Sequence, residues 1–463
     1  MSGRLKVVSP VDGSVYVERD LADERAINVT LDNAKRAQSE WKRLTVEERS
    51  PYLSCFTDAF VGMKDEIVPE LAWQMGRPIA YGAGEVRGFE ERARHMIAIA
   101  TKSLSNVETA PKEGFTRYIK RDALGVVFVI AAWNYPYLIS VNAVLPALLA
   151  GNAVILKHSG QTPLCAERFA SAFKKAGLPD GLFQVLHLSH EATEKIVGDA
   201  RVDYVAFTGS VAGGHAIVKA ASERFINVGL ELGGKDPAYV RADANLAFAV
   251  ENLVDGAFFN SGQSCCGKER IYVHESLFDK FVEGFVDLTK TYKLGNPLDG
   301  ATTLGPMVRS AAASFVRGQI ESAKRGGAKA LIDEKLFPHS IEGTPYLAPQ
   351  VLVDVNHQMD VMREESFGPV IGIMKVRGDE EAIGLMNDSP YGLTASIWTE
   401  DEHAAISIGE QVETGTWFMN RCDYLDPALA WTGVKNSGRG ATLSPVGYEF
   451  LTRPKSYHLR TKI

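Results

Sequence analysis

The chain has 463 residues, of which 45% are hydrophobic and 23% charged, enough apolar material for more than one buried core. A formal net charge of -7 excludes a broadly basic nucleic-acid surface and favours solubility, while saying little about substrate. Five cysteines, an odd number with no CxxC spacing, argue against a disulfide framework and against a metal site.

In chain order, residues 1–23 are mixed and polar, without the apolar stretch of a signal peptide, and no apolar run approaches the roughly 18 residues of a membrane span. A reducing, cytoplasmic location is expected. Residues 26–41 and 45–63 carry apolar positions at helical spacing and read as surface helices. Buried strands are expected at 126–130 and 154–156, joined by a helix over 138–149 that tolerates Pro146 and stops at Gly151-Asn152. A helix over 165–176 ending at Gly177, a strand over 183–188, and an alternating strand over 202–207 follow. This alternation is the order of a nucleotide-binding sheet, although the fingerprint GxGxxG is absent. In its place, Thr208-Gly209-Ser210-Val211-Ala212-Gly213-Gly214 leads into a helix through Ala221. Glycines there let the backbone approach a ligand, and a helix N-terminus offers unpaired N–H groups to a pyrophosphate; an ordinary glycine turn has the same composition. Beyond Pro237 a second α/β region is expected, with helices at 246–258 and 277–288 and strands at 270–273, 351–353 and 370–376. Residues 456–460 can form an edge strand.

Three segments carry chemistry. In Phe259 to Arg270 a thiol, Cys265, follows a Gly-Gln-Ser turn, where backbone N–H groups can meet negative charge on sulfur or on an attacked carbonyl oxygen. Cys265 and Cys266 also suit the role of small buried hydrophobes. In Asn227 to Pro237 one carboxylate, Glu231, stands among apolar neighbours and glycines. It reads either as a turn carboxylate bonded to backbone N–H groups or as a general base with a raised pKa. Asn134, in Trp133-Asn134-Tyr135-Pro136 after the strand at 126–130, can donate to an oxyanion with the Cys265 N–H or satisfy its own turn.

Together these segments resemble the aldehyde dehydrogenase superfamily over nearly the whole chain. Glu231-Leu232-Gly233-Gly234-Lys235-Asp236-Pro237 is similar to the family's glutamate signature, Phe259 to Arg270 to its cysteine signature, Trp133 to Pro136 to its oxyanion segment, and Glu365-Ser366-Phe367-Gly368-Pro369 to its nicotinamide-ribose segment. The resemblance implies an α/β fold: a Rossmann-like cofactor domain (residues 1–103 and 124–234), a second α/β catalytic domain (235–435), and a small bridging β-sheet for oligomerisation (104–123 and 450–463). A homodimer or homotetramer is expected.

It further implies Cys265 as nucleophile, Glu231 as the base that activates water, and Asn134 as oxyanion donor. Cofactor contacts fall on Trp133, Lys157, Ser159, Gly160, Gly209, Ser210, Gly213, Leu232, Glu365 and Phe367, with Ser210 at the phosphate, Lys157 at the adenosine ribose and Glu365 at the nicotinamide ribose. Gly160 departs from NAD-preferring members, which place a glutamate there to bind the ribose hydroxyls and repel a 2′-phosphate, so the cofactor is NAD or NADP. His158 is read as a loop histidine without chemistry. Positions near the reactive motifs nominate Tyr135, Leu138, Asn142, Ser264, Asp423 and Trp431 for the substrate pocket: the aromatics favour an apolar chain, Asp423 a cationic aminoaldehyde. A second departure is Arg439-Gly440-Ala441-Thr442, where many relatives carry a glutamate assigned to proton relay.

The implied reaction is NAD(P)-dependent oxidation of an aldehyde to a carboxylic acid through a cysteine thioester. A CoA-acylating semialdehyde dehydrogenase would share the thioester but need no water-activating carboxylate. A thiol hydrolase would need a histidine partner for the cysteine, and none is identifiable in these motifs. A crystallin-like scaffold would have no use for Cys265, Glu231 and Asn134 together.

Overall fold

A computed structural model describes residues 3–422 and 424–463. A six-stranded sheet runs in the order Gly438–Arg439, Asn227–Glu231, Tyr204–Thr208, Val126–Ala131, Ala153–His158, Phe183–Val185. Its pairs are parallel except at the Gly438–Arg439 edge. Parallel strands are covered on both faces and therefore read as continuous apolar runs; all six residues of Val126–Ala131 are buried. The helix Pro136–Leu149 buries twelve of its 14 residues. Its two half-exposed residues, Leu138 and Ile139, line a cavity beside Cys265.

The expected helices near the start form as Glu24–Trp41 and Val46–Val61, each burying one stripe against the first core. Thr45 caps the second in a capping box with Glu48. Two helices not anticipated above, Lys64–Met75 and Ile79–Ser103, complete this layer. The strand expected over 183–188 stops at Val185, because the His187 carbonyl turns away to accept the Ala22 N–H.

The second sheet has seven strands in the order Lys329–Ala330, Gln350–Val353, Val370–Val376, Lys268–His274, Asp236–Val240, Thr394–Trp398, Thr416–Met419, parallel except for the first pair. The two-residue period of a strand divides its side chains between two cores. Ala238, Val240, Ile271 and Val273 meet the helices Leu246–Phe258 and Phe278–Thr289, while Tyr239, Tyr272, Leu352 and Ile397 meet the opposite layer.

A third sheet joins Thr452–Arg460, Phe115–Ala123 and Val107–Glu108, with Thr452 opposite Ala123 and Arg460 opposite Phe115. The strand expected over 456–460 begins at Thr452 and passes through Pro454, which an edge strand tolerates because its unbonded side needs no N–H. Among the described residues no helix is long and apolar enough to cross a membrane.

The first core centres on Phe169, fully buried with ring contacts to Phe56, Phe60, Phe89, Tyr137 and Phe183. Phe169→Ala should lower unfolding stability by about 3–5 kcal/mol in chemical denaturation. Phe225→Ala, at a fully exposed ring, should leave it unchanged.

Candidate active site

Cys265 follows a strained stretch of backbone that side-chain and tertiary contacts hold. After the helix Leu246–Phe258, Asn260 (φ 54°), Ser261 (φ 57°) and Gly262 (φ 70°) are successive left-handed residues, a costly conformation for side-chain-bearing residues. Each is tied down. Asn260 Nδ2 donates to the Gln263 carbonyl (3.1 Å), Ser261 Oγ to the Gly305 carbonyl (2.7 Å), and a Cβ added at Gly262 would lie 2.2 Å from the Gly368 carbonyl oxygen. The turn delivers Cys265 half-buried beside Cys266, which is 4% exposed.

Asn134 and Ser210 follow the carboxyl ends of adjacent parallel strands, and Glu231 ends a third, the end at which open α/β sheets bind ligands. Cys265 and Glu365 come from loops entering strands of the second sheet. A cavity of about 370 Å³ between them is lined by Asn134, Glu231 and Cys265 together with Trp133, Gly209, Ser210, Leu232, Glu365 and Phe367. A smaller one of about 70 Å³ shares Glu231, Leu232 and Cys265 and is walled by Tyr135, Leu138, Asn142, Ser264 and Trp431. Of the expected pocket residues, Asp423 lies outside the described residues.

Lys157, Ser159 and Gly160 do not line these cavities; they lie where the neighbouring strand Ala153–His158 ends. Lys157 is half-buried without an ion-pair partner among the described residues, and burial pushes its amine down. At Gly160 a Cβ would meet Leu5 Cδ1 at 2.8 Å, so an apolar side chain borders the spot where a glutamate would begin. His158 is corrected: it is the last strand residue, 3% exposed, with its ring near the Pro136 carbonyl and the Thr162 hydroxyl, and burial lowers its pKa to about 4. Ser210 Oγ accepts the Gly213 N–H at 3.2 Å and caps the helix Val211–Ala220. That helix presents its N-terminus to the larger cavity, and the glycine backbone beside it fits a phosphate group.

Several groups that hold the site were not singled out from sequence. Buried Arg77 pairs with Glu85 and donates Nη2 to the Asn134 carbonyl (2.6 Å). Glu85 Oε1 accepts the Tyr137 and Leu138 N–H groups at 2.9 and 3.2 Å. Buried Lys235 pairs with Glu269, which accepts the N–H groups of Ser366 (2.8 Å) and Phe367 (2.9 Å). Thr442 and Thr208 donate hydroxyls to the two oxygens of Glu231 at 2.6 and 3.1 Å. Arg92 reaches the smaller cavity from the helix Ile79–Ser103. A signal for it existed: Phe89, Arg92, Ala93 and Met96 form a buried stripe at helical spacing, and an arginine on such a stripe needs a reason.

Burial raises the Glu231 pKa, against the opposing pull of the two threonine hydroxyls and the Arg92 charge. The Cys265 thiol is raised well above its ordinary value, first by its hydrogen bond with the Cys266 thiol and then by burial. Glu365 is pushed up to about 8 by burial and by the charge of Glu269, partly offset by the Gly234 N–H that it accepts at 3.0 Å.

Two α/β sheets, with a cleft between them that collects a thiol, a carboxylate and a side-chain amide, define the class. A model described as the aldehyde dehydrogenase family matches residues 1–457. An aldehyde dehydrogenase of Paenarthrobacter nicotinovorans is 33% identical over 446 residues, covering 96% of this chain and 97% of its own. Among solved structures, PnpE of Pseudomonas sp. WBC-3, crystallised with nicotinamide adenine dinucleotide, has a TM-score of 0.94 at 29% identity and covers 100% of this chain and 95% of that one. An NADP-dependent enzyme of E. coli has a TM-score of 0.94 at 26% identity, covering 99% and 95%. The chain belongs to the aldehyde dehydrogenase family.

Between about pH 4.5 and 8 the folded protein holds a proton on Glu365 that the unfolded chain has released, so this group's contribution to stability falls as pH rises through that window. Glu365→Gln should flatten the decline in Tm between pH 5 and 8.5. An unchanged slope in thermal melts would remove Glu365 as its source.

Proposed function

We propose that this chain oxidises an aldehyde to a carboxylic acid with NAD or NADP through a thioester on Cys265. The observation that carries the reading is the convergence of Cys265, Glu231 and Asn134 on one cavity that also reaches Gly209, Ser210, Glu365 and Phe367. A nicotinamide dinucleotide, when bound, supplies the two-electron oxidant.

Cys265 Sγ adds to the aldehyde carbon, and the carbonyl oxygen becomes an oxyanion. Two donors are available to it. Among the described residues Asn134 Nδ2 is engaged only by the Gln263 carbonyl at 3.3 Å, and the Cys265 N–H has no protein acceptor. Such donors act strongly where water is excluded. The resting thiol is held protonated, and its proton passes to water as the carbon–sulfur bond forms. After oxidation the acyl group is on sulfur, and Glu231, its pKa raised toward the working range of a general base, removes a proton from the water that releases the acid. A buried carboxylate at this position favours water over CoA as acyl acceptor.

For the dinucleotide, the N-terminus of Val211–Ala220 and the Ser210 hydroxyl would hold phosphate, Glu365 the nicotinamide ribose, and Lys157 the adenosine ribose. With Gly160 supplying no carboxylate and Lys157 unpaired, both NAD and NADP are accommodated, in keeping with relatives of each kind. The exposed three-stranded sheet is the proposed surface for a dimer, or a tetramer of dimers, and the division into cofactor, catalytic and bridging domains follows the three sheets. Among the described residues the five cysteines form no disulfide, which suits a reducing cytoplasm.

Cys265→Ala should abolish aldehyde-dependent NAD(P)H formation, and Asn134→Ala should reduce turnover by roughly 10²-fold to 10³-fold. Glu231→Gln should keep a first-turnover burst and block steady release in stopped-flow absorbance; equal loss of both phases would falsify the hydrolytic role.

A further inference from the structure

The smaller cavity has lining groups that the reaction above does not use. Besides Cys265 and Glu231 it is lined by the apolar Leu138, Leu425 and Trp431 and by the polar Arg92 and Asn142. Arg92 is 7% exposed and has no ion-pair partner among the described residues. Its nearest carboxylates are otherwise engaged: Glu85 by Arg77 and two backbone N–H groups, Glu91 by the Tyr424 hydroxyl, Glu231 by Thr208 and Thr442. Burial lowers the Arg92 pKa, the mark of a cation whose lost hydration has not been fully replaced.

The guanidinium is held by one nitrogen only. Nη1 donates to the Leu138 carbonyl (3.0 Å) and to Asn142 Oδ1 (3.2 Å). Nε and Nη2 have no protein acceptor among the described residues, and neither is sealed from solvent. Because a guanidinium can only donate, its bond to Asn142 fixes which way that amide points. Asn142 Nδ2 is left as a further donor, unbonded and unsealed, on a residue 3% exposed. The cavity thus gathers a planar two-donor fork and an amide N–H, fixed on two packed helices, with no acceptor to match among the described residues. That donor set is complementary to a carboxylate, and the small volume of the cavity limits the chain between it and the sulfur to a short one.

We propose that Arg92 is the specificity-determining residue for a short ω-oxo carboxylic acid: its fork, with Asn142 Nδ2, binds the substrate's carboxylate while the aldehyde meets Cys265. This rests on the dehydrogenase reading above. It makes the substrate a semialdehyde and the product a dicarboxylate. The reaction upstream must leave an aldehyde at one end of a short acid, as transamination or oxidative deamination of an ω-amino acid does. It also replaces the expectation of a cationic aminoaldehyde, which Arg92 would repel.

The test compares kcat/KM for 4-oxobutanoate and 5-oxopentanoate with their methyl esters, using each nucleotide. The wild type should favour the acids by about 10²-fold or more, the scale of a buried charge-assisted pair. Arg92→Gln should bring the acid-to-ester ratio within about tenfold of unity, with Arg92→Lys between the two because it keeps charge and loses the fork. Independently of turnover, glutarate should slow iodoacetamide labelling of Cys265 in the wild type and fail to do so in Arg92→Gln. Thermal melts report whether the variants fold; if they do not, the wild-type ratio and glutarate protection decide. Equal use of acid and ester, preference for a cationic aldehyde, or an acid preference that survives Arg92→Gln overturns the proposal. Arg92-dependent protection by glutarate without oxidation of any aldehyde would uphold the carboxylate site and overturn the dehydrogenase reading instead.

Discussion

The site depends on the rule that charge withdrawn from water must be paired, and the Arg77–Glu85 pair applies that rule where the first core meets the cleft. The two side chains are almost fully inaccessible, and each spends its remaining capacity on backbone. Arg77 grips the Asn134 carbonyl, and Glu85 caps the first turn of Pro136–Leu149. A carboxylate at a helix N-terminus is favoured by the helix dipole as well as by the N–H groups that it accepts. Asn134 is therefore placed by a charge in the link before the helix Ile79–Ser103, with its amide left facing the cavity.

Lys235 and Glu269 do the same work on the other side of the cleft. Glu269 takes the N–H groups of Ser366 and Phe367, so the loop bearing Glu365 is fixed to the strand that follows Cys265. Phe367 is held at a φ of 51° with its ring edge-on to Trp133 at 5.7 Å. With the left-handed run Asn260 to Gly262, this makes a region in which local conformational cost is balanced by tertiary bonds. Removing one member of either pair leaves a buried, uncompensated charge, which costs about 3–5 kcal/mol. Stability and positioning of the reactive groups thus rest on the same contacts.

Thr442 connects a departure in the sequence to the chemistry. In the segment where the family resemblance implies a glutamate, the Thr442 hydroxyl donates to Glu231 Oε1 at 2.6 Å. A second carboxylate there would raise the pKa of Glu231 by like-charge repulsion, whereas a hydroxyl lowers it by bonding to the charged form. Burial still dominates and keeps Glu231 raised, so this carboxyl is tuned by desolvation against two hydroxyls.

Much of the fold was legible in the chain, because a parallel sheet writes its strands as apolar runs and its helices as periodic stripes. The helix Leu246–Phe258 and the strand Val370–Val376 lie where the pattern places them. The motifs around 134, 231, 265 and 365 were legible as chemistry through their joint resemblance to a family, since each residue by itself also fits a structural role. Lone charges at 77, 85, 92, 235 and 269 were not. In a sequence a charged residue looks solvated, and only packing reveals that it has been taken out of water. The sequence by itself determined the α/β class and which residues resemble reactive ones; the tertiary structure decided which charges are paired and which stay unpaired, because pairing is a relation between residues as far apart as 235 and 269 that no local pattern records.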